Sequence, residues 1–180
     1  METMRIMDCG IQIAESKSMI AQIIFISICL SAFGGKMVFS LSDEVKDKIA
    51  RVPFVTVDKG YMSGTVERQF VVVKNEEEWG NLWARHKSKV FPAPQPPVVD
   101  FQREMIIAVF SGEKRTGGYG IEIRKIEEDR EKRQLIVSFL EIQPPPRSAV
   151  IQVFTQPYHL VRLQKLDLPV KFDGLVESPQ

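Results

Sequence analysis

Residues 105–126 constrain this chain more than any other segment. They open with Met105-Ile106-Ile107-Ala108-Val109-Phe110, an unbroken apolar run that ends at Ser111-Gly112. A basic loop follows, Glu113-Lys114-Arg115, then Thr116-Gly117-Gly118-Tyr119-Gly120, and then the alternating Ile121-Glu122-Ile123-Arg124. An apolar run and an alternating run separated by glycines read as two β-strands joined by a turn. Gly117 and Gly118 suit a hairpin, because glycine takes positive φ without a Cβ clash. The same loop, with Lys114 and Arg115 beside exposed backbone N–H groups, has the makings of an anion or carboxylate cradle. It is not a P-loop, since no Gly-Lys-Ser/Thr follows. It is not a dinucleotide fingerprint either, since a strand and not a helix comes after the glycines.

The 180 residues are enough for one domain with a real core. Apolar residues make up 44%, which sets the chain among globular proteins. A formal net charge of +1 gives no broad field for nucleic acid. Both cysteines, Cys9 and Cys29, lie near the N-terminus. The rest of the chain therefore has neither a disulfide nor a thiolate metal site.

Residues 19–35 carry no charge and read as a signal-peptide core or a short membrane anchor. Ala32 and Gly34 are small residues placed for cleavage after Gly34, while Glu2, Asp8 and Glu15 are unusual in the leader. Ile28 makes Cys29 a poor lipidation site. The expected location is extracytoplasmic, periplasmic or secreted, with membrane association through 19–35 if the segment is not cleaved. A cysteine-free remainder suits an oxidising compartment.

Residues 36–53 read as a linker or a short amphipathic helix that Ser42 would cap, and Pro53 ends it. Short strands follow at 54–57 and 67–73. Asn75 opens the main helix, at about 76–88: its side chain caps the first turn, Glu78 completes a capping box, and Trp79, Leu82 and Trp83 form one apolar face. That stripe is read as an anchor on a sheet rather than a ligand platform. Pro92, Pro94, Pro96 and Pro97 predict a stiff extended strap. Residues 134–142 read as a strand buried on both faces, with a last strand or strand pair at 150–154 and 159–163 and a loose tail over 167–180. The whole predicts an α+β domain over 54–166: a mainly antiparallel β-sheet with one main helix packed on it, preceded by an N-terminal hydrophobic helix.

The chemistry-bearing residues are sparse. His86 and His159 are the only histidines, and no metal-ligand spacing accompanies them. No nucleophile elbow is present, and the carboxylates at 76–78 and 127–129 read as a helix cap and a solvated turn. No catalytic residue, metal or cofactor is expected. The candidate binding residues are Lys114, Arg115, Thr116, Gly117, Gly118 and Tyr119 in the loop, with Tyr158 and His159.

Several segments together resemble a known family. They are Gly60-Tyr61-Met62-Ser63-Gly64, the helix Glu78-Trp79-Gly80-Asn81-Leu82-Trp83-Ala84-Arg85-His86, and Pro96-Pro97-Val98-Val99-Asp100-Phe101. To these add residues 105–110, Thr116-Gly117-Gly118-Tyr119 and Thr155-Gln156-Pro157-Tyr158-His159. In this order they resemble the PrcB C-terminal-like domains, accessory parts of protease complexes. The resemblance covers about residues 54–165 and implies an exported, non-catalytic domain that associates with or stabilises a protease. It supplies no catalytic residues. The implied partner is a protein, a protease by the resemblance, with no nucleic acid and no small-molecule cofactor. Residues 116–119 are also similar to the binding loop of chagasin-like cysteine-protease inhibitors, which implies the alternative of a loop used as an inhibitory wedge.

Overall fold

The computed structural model describes residues 48–178. The hydrophobic segment 19–35, with its predicted helix, lies outside the described residues. Eight strands and one helix run in the order β1 (Ile49–Arg51), β2 (Phe54–Gly60), β3 (Arg68–Val73), α1 (Glu76–His86), β4 (Glu104–Ser111), β5 (Gly120–Asp129), β6 (Gln134–Ile142), β7 (Tyr158–Gln164) and β8 (Val170–Glu177).

Helix α1 starts where its capping residues place it. Asn75 Oδ1 accepts the Glu78 N–H at 2.9 Å, and Glu78 accepts the Lys74 N–H at 3.2 Å. The helix ends at His86, two residues before the expected end, with the Lys87 N–H closing on the Trp83 carbonyl at 2.8 Å.

The strands form two sheets rather than one. Sheet I has the order β2-β7-β4-β3 and is antiparallel throughout. Sheet II has the order β1-β5-β6-β8, antiparallel except for the parallel β6–β8 pair. Strand β4 lies inside sheet I between β7 and β3, and Met105 to Ser111 are buried without exception. Alternate residues of a strand face opposite sides. Met105, Ile107 and Val109 therefore meet Ile121, Ile123, Ile126, Leu135, Val137 and Phe139 of sheet II. Ile106, Ala108 and Phe110 meet Trp79, Leu82 and Trp83 of α1. The result is three layers: helix, sheet I, sheet II.

Five expectations are corrected. The glycine loop is not a hairpin turn: β4 and β5 belong to different sheets, and residues 112–119 carry the chain across. Strand β6 is not buried on both faces. It alternates, with Leu135, Val137, Phe139 and Glu141 buried and the residues between them half-exposed, because nothing covers the outer face of sheet II among the described residues. Residues 49–51, expected in the linker, pair with β5, and residues 170–177, expected in the loose tail, pair with β6. Residues 150–154 form no strand.

The strap 91–97 has no regular hydrogen-bonded structure and is tied to the helix by both indoles. Trp83 Nε1 donates to the Pro94 carbonyl at 2.8 Å, and Trp79 Nε1 donates to the Pro97 carbonyl at 2.9 Å. Each tryptophan thus fills the helix–sheet layer and spends its one polar group on the strap. Across the sheets, Arg68 holds the buried Glu141 through Nε at 3.0 Å and Nη2 at 2.6 Å.

Trp83→Ala should destabilise the domain by about 3 kcal/mol or more, the usual cost of removing a large buried aromatic. Trp83→Phe, which keeps much of the volume and loses the bond to Pro94, should cost less. Urea midpoints for the two variants check this; an unchanged midpoint for Trp83→Ala would take the tryptophan out of the core.

Candidate functional site

The candidate loop sits at the end of the sandwich where β4 stops and β5 begins. Gly112 turns the chain out of β4 with φ +77°, and a Cβ there would lie 2.9 Å from Arg68 N. The Glu113 N–H then donates to the Val66 carbonyl at 2.9 Å. Lys114 forms a two-way bridge with Thr155, with N–H to carbonyl distances of 2.7 and 2.9 Å. The Gly117 N–H donates to the Ile151 carbonyl at 2.9 Å, and Thr155 Oγ1 donates to the Thr116 carbonyl at 3.1 Å. Gly118 has φ +88° and lies against Pro144, where a Cβ would come within 2.9 Å. The Lys114 ammonium stands 5.5 Å from the centre of the Tyr119 ring. The Gln156 N–H donates to the Tyr61 carbonyl at 2.7 Å, which brings residues 61–66 into the same cluster.

Three segments, 61–66, 112–119 and 144–156, therefore hold one another by backbone bonds. Between them the surface is apolar. Tyr61, Met62, Val66, Ile151, Val153 and Phe154 are exposed, Ile151 by 77% and Tyr61 by 61%. Arg115 is exposed among them. Two adjoining clefts of about 330 and 290 Å³ share Tyr61, Gly120 and Ile142 as walls. A larger concavity of about 550 Å³ lies elsewhere, on the outer face of sheet II, where Lys125 and Glu127 pair with each other at 2.9 Å. It touches none of the loop residues.

The structure brings Lys114, Arg115, Thr116, Gly117, Gly118 and Tyr119 together and separates Tyr158 and His159 from them. The last two are buried on opposite faces of β7, as adjacent strand residues must be. Their side chains do not join the contact surface expected from the sequence. Tyr158 lies in the helix layer and donates to Asp58 Oδ1 at 3.2 Å. Burial first, and then the negative charge of Asp58, push its hydroxyl well above the ordinary tyrosine range.

His159 turns between the sheets. Its Nδ1 accepts the Ile123 N–H of β5 at 2.9 Å, so the ring hydrogen is on Nε2, which donates to Thr56 Oγ1 at 2.9 Å. Burial, then the nearby Lys59 charge, lower its pKa from 6.5 to about 4, with Glu122 opposing in part. Protonation would put a hydrogen on Nδ1 against the Ile123 donor.

Asp58 is the residue that sequence reading missed. Asp58-Lys59-Gly60 has the look of a turn, yet Asp58 is a β2 residue at the centre of a polar cluster. Its Oδ2 accepts from His86 Nε2 at 3.0 Å and pairs with the Lys87 ammonium. Burial alone would raise its pKa, but the hydrogen bonds of His86 and Lys87, with the Lys87 charge, hold it well below the usual carboxylate range. On the other side of the ring, His86 Nδ1 lies 2.8 Å from Ser63 Oγ, which also accepts the Thr65 N–H at 3.0 Å. Ser63, His86 and Asp58 are the residue types of a hydrolytic triad, but here Ser63 and His86 are each 1% exposed. A nucleophile must be reachable by its substrate. The cluster instead clasps the end of α1 to β2, β7 and the 61–66 loop. Among the described residues, no group of three or more His, Cys, Asp or Glu could hold a metal ion.

Fold and site together define an α+β sandwich whose loops gather into one apolar, basic-edged surface at a single end. A family model described as PrcB C-terminal matches residues 105–164. That span runs from β4 through β7 and contains the candidate loop, so the resemblance read from the sequence is supported on the segment that builds both core and site. No curated protein and no solved structure is significantly similar to the chain.

His159 gives a pH dependence with a definite sign. Its folded pKa, about 4, lies below the 6.5 of a free histidine, so between these values the unfolded chain binds more protons. Stability should rise as pH increases from about 4 to 6.5 and fall on acidification through the same window. Urea midpoints at pH 7 and pH 4.5 measure it; a His159→Asn variant should be less stable at pH 7 and show a shallower slope. An equal slope in the variant would remove His159 as the cause.

Proposed function

We propose that this chain is an exported, non-catalytic interaction domain that acts as an accessory or stabilising subunit of an extracytoplasmic protease. Its contact surface is the end of the sandwich formed by residues 61–66, 114–119 and 150–154. The match to the PrcB C-terminal family supports the partner class, because the family name points to a protease complex. The observation that carries the contact surface is the combination of exposure and bracing. Tyr61, Ile151, Val153 and Phe154 stand out to solvent, while the backbone beneath them is fixed by the Lys114–Thr155 and Gly117–Ile151 bonds. An apolar surface that is already ordered loses little entropy on binding. Arg115 and the Tyr119 ring add the side-chain types most often found at binding hot spots. Export rests on the uncharged segment 19–35. Among the described residues, no helix is long and apolar enough to cross a membrane.

The experiment mixes the full chain with purified extracytoplasmic proteases and follows both co-purification and peptidase activity. A stable complex with undiminished activity is expected. Phe154→Asp combined with Arg115→Ala should weaken that complex at least about tenfold, since a buried charge replaces an apolar anchor, while leaving the melting temperature unchanged. Loss of peptidase activity would favour the wedge reading of Thr116–Tyr119. Wild-type affinity in the double variant would show that this end is not the contact surface. Recovery of the uncleaved chain from the cytoplasm would overturn export.

A further inference from the structure

Strand β8 is the outer strand of sheet II. It pairs with β6 from Val170 to Glu177, and its other edge faces no strand among the described residues. An open edge of this length presents a row of free N–H and C=O groups, which natural domains usually cover or blunt. Its inner face is set by Val170 and Phe172, which pack on the core, and by Gly174, where a Cβ would strike Phe139. The alternate residues Lys171, Asp173, Leu175 and Glu177 face outward. Leu175 is 71% exposed and Val176 63%.

The charges of this strand differ from those of its neighbours. Elsewhere in sheet II, Glu122 pairs with Lys59 and Arg124, Lys125 with Glu127, and Asp129 with Lys132. Lys171, Asp173 and Glu177 form no ion pair among the described residues.

We propose that β8 is a self-association edge, which pairs antiparallel with β8 of a second copy and joins the two copies of sheet II into one. The sequence of the strand selects the register. Both inner faces must lie on the same side of the joined sheet, so the two-fold axis passes through a residue. Centred on Gly174, Lys171 of each copy lies opposite Glu177 of the other, and Phe172 lies opposite Val176. Two ion pairs and two apolar pairs form at once, each of the kind that stabilises neighbouring strands. Centred on Asp173, Lys171 would face Leu175 and no charge would be matched. Centred on Leu175, Asp173 would face Glu177, a like-charge pair. Centred on Phe172, Lys171 would meet Asp173 of the other copy, but only residues 170–174 would pair and Glu177 would stay unmatched. The Gly174 register pairs residues 171–177 and matches both Lys171 and Glu177, with Asp173 left opposite Leu175, and Gly174 itself places no side chain at the axis. One strand per copy is a small interface, so the pair is reversible and depends on concentration.

The self-complementary charges allow a test that separates this joint from any other use of the edge. Two full-length copies carrying different affinity tags are co-expressed, and capture of one is scored for retrieval of the other. Wild-type copies should retrieve each other. Lys171→Glu in both copies, or Glu177→Lys in both, places like charges opposite each other twice and should reduce retrieval about tenfold. Lys171→Glu in one copy with Glu177→Lys in the other restores two opposite-charge pairs and should restore retrieval. Recovery in the mixed pair also shows that each variant is folded. The proposal is overturned if wild-type copies fail to retrieve each other, if both like-charged pairs are retrieved as well as wild type, or if the mixed pair does no better than either alone, as when the edge receives an extended segment of another protein.

Discussion

Met105 to Ser111 leave no face of β4 to solvent, and the need to cover both faces of that strand organises everything else. A strand buried on both sides requires an apolar layer above and below it. The helix supplies one through Trp79, Leu82 and Trp83, and sheet II supplies the other through Ile121, Ile123, Leu135 and Val137. Because β4 cannot form a hairpin with β5 and also be covered by it, residues 112–119 must carry the chain from one sheet to the other. The candidate loop is a consequence of that crossing. It lies at the end of the sandwich because the core occupies the middle.

Polar groups hold the layers together where apolar packing runs out. His159 reaches from sheet I to the Ile123 N–H of sheet II, and Arg68 reaches Glu141 across the same gap. The Asp58 cluster locks the end of α1, with His86 and Lys87 on one side and Tyr158 on the other. Buried polar groups of this kind are costly when one partner is lost. They explain why the two histidines belong to the scaffold, and why the surface left for binding is built from loop backbone, aromatics and Arg115.

Much of this was legible in the residues. Asn75 and Glu78 mark the start of α1, and the Trp79–Leu82–Trp83 spacing marks its buried face, because capping and helical periodicity are local. The loop 114–119 was legible as a cluster for the same reason. Which strands pair was not. Gly117-Gly118 fits a hairpin and a crossing equally well, and the choice is made by tertiary packing. Ile136, Leu140 and Ile142 made β6 read as doubly buried, although nothing covers its outer face among the described residues. Pro169 and Gly174 made β8 read as tail, yet Gly174 is required where Phe139 lies beneath the strand. Tyr158 and His159 are neighbours in a strand and so point opposite ways. Asp58 carried no signal, because its partners His86 and Tyr158 are distant in the chain.

The central claim is that the loop-bearing end is a surface fixed in advance by backbone bonds among three segments. Residue-resolved amide hydrogen exchange of the full chain tests it most directly, because exchange reports local opening. The Lys114, Gly117, Thr155 and Gln156 amides each donate to a carbonyl of another segment. The account predicts that these amides are protected far below unstructured-chain rates, although the side chains around them are exposed. Exchange of the four at unstructured rates, with β4 still protected, would contradict it.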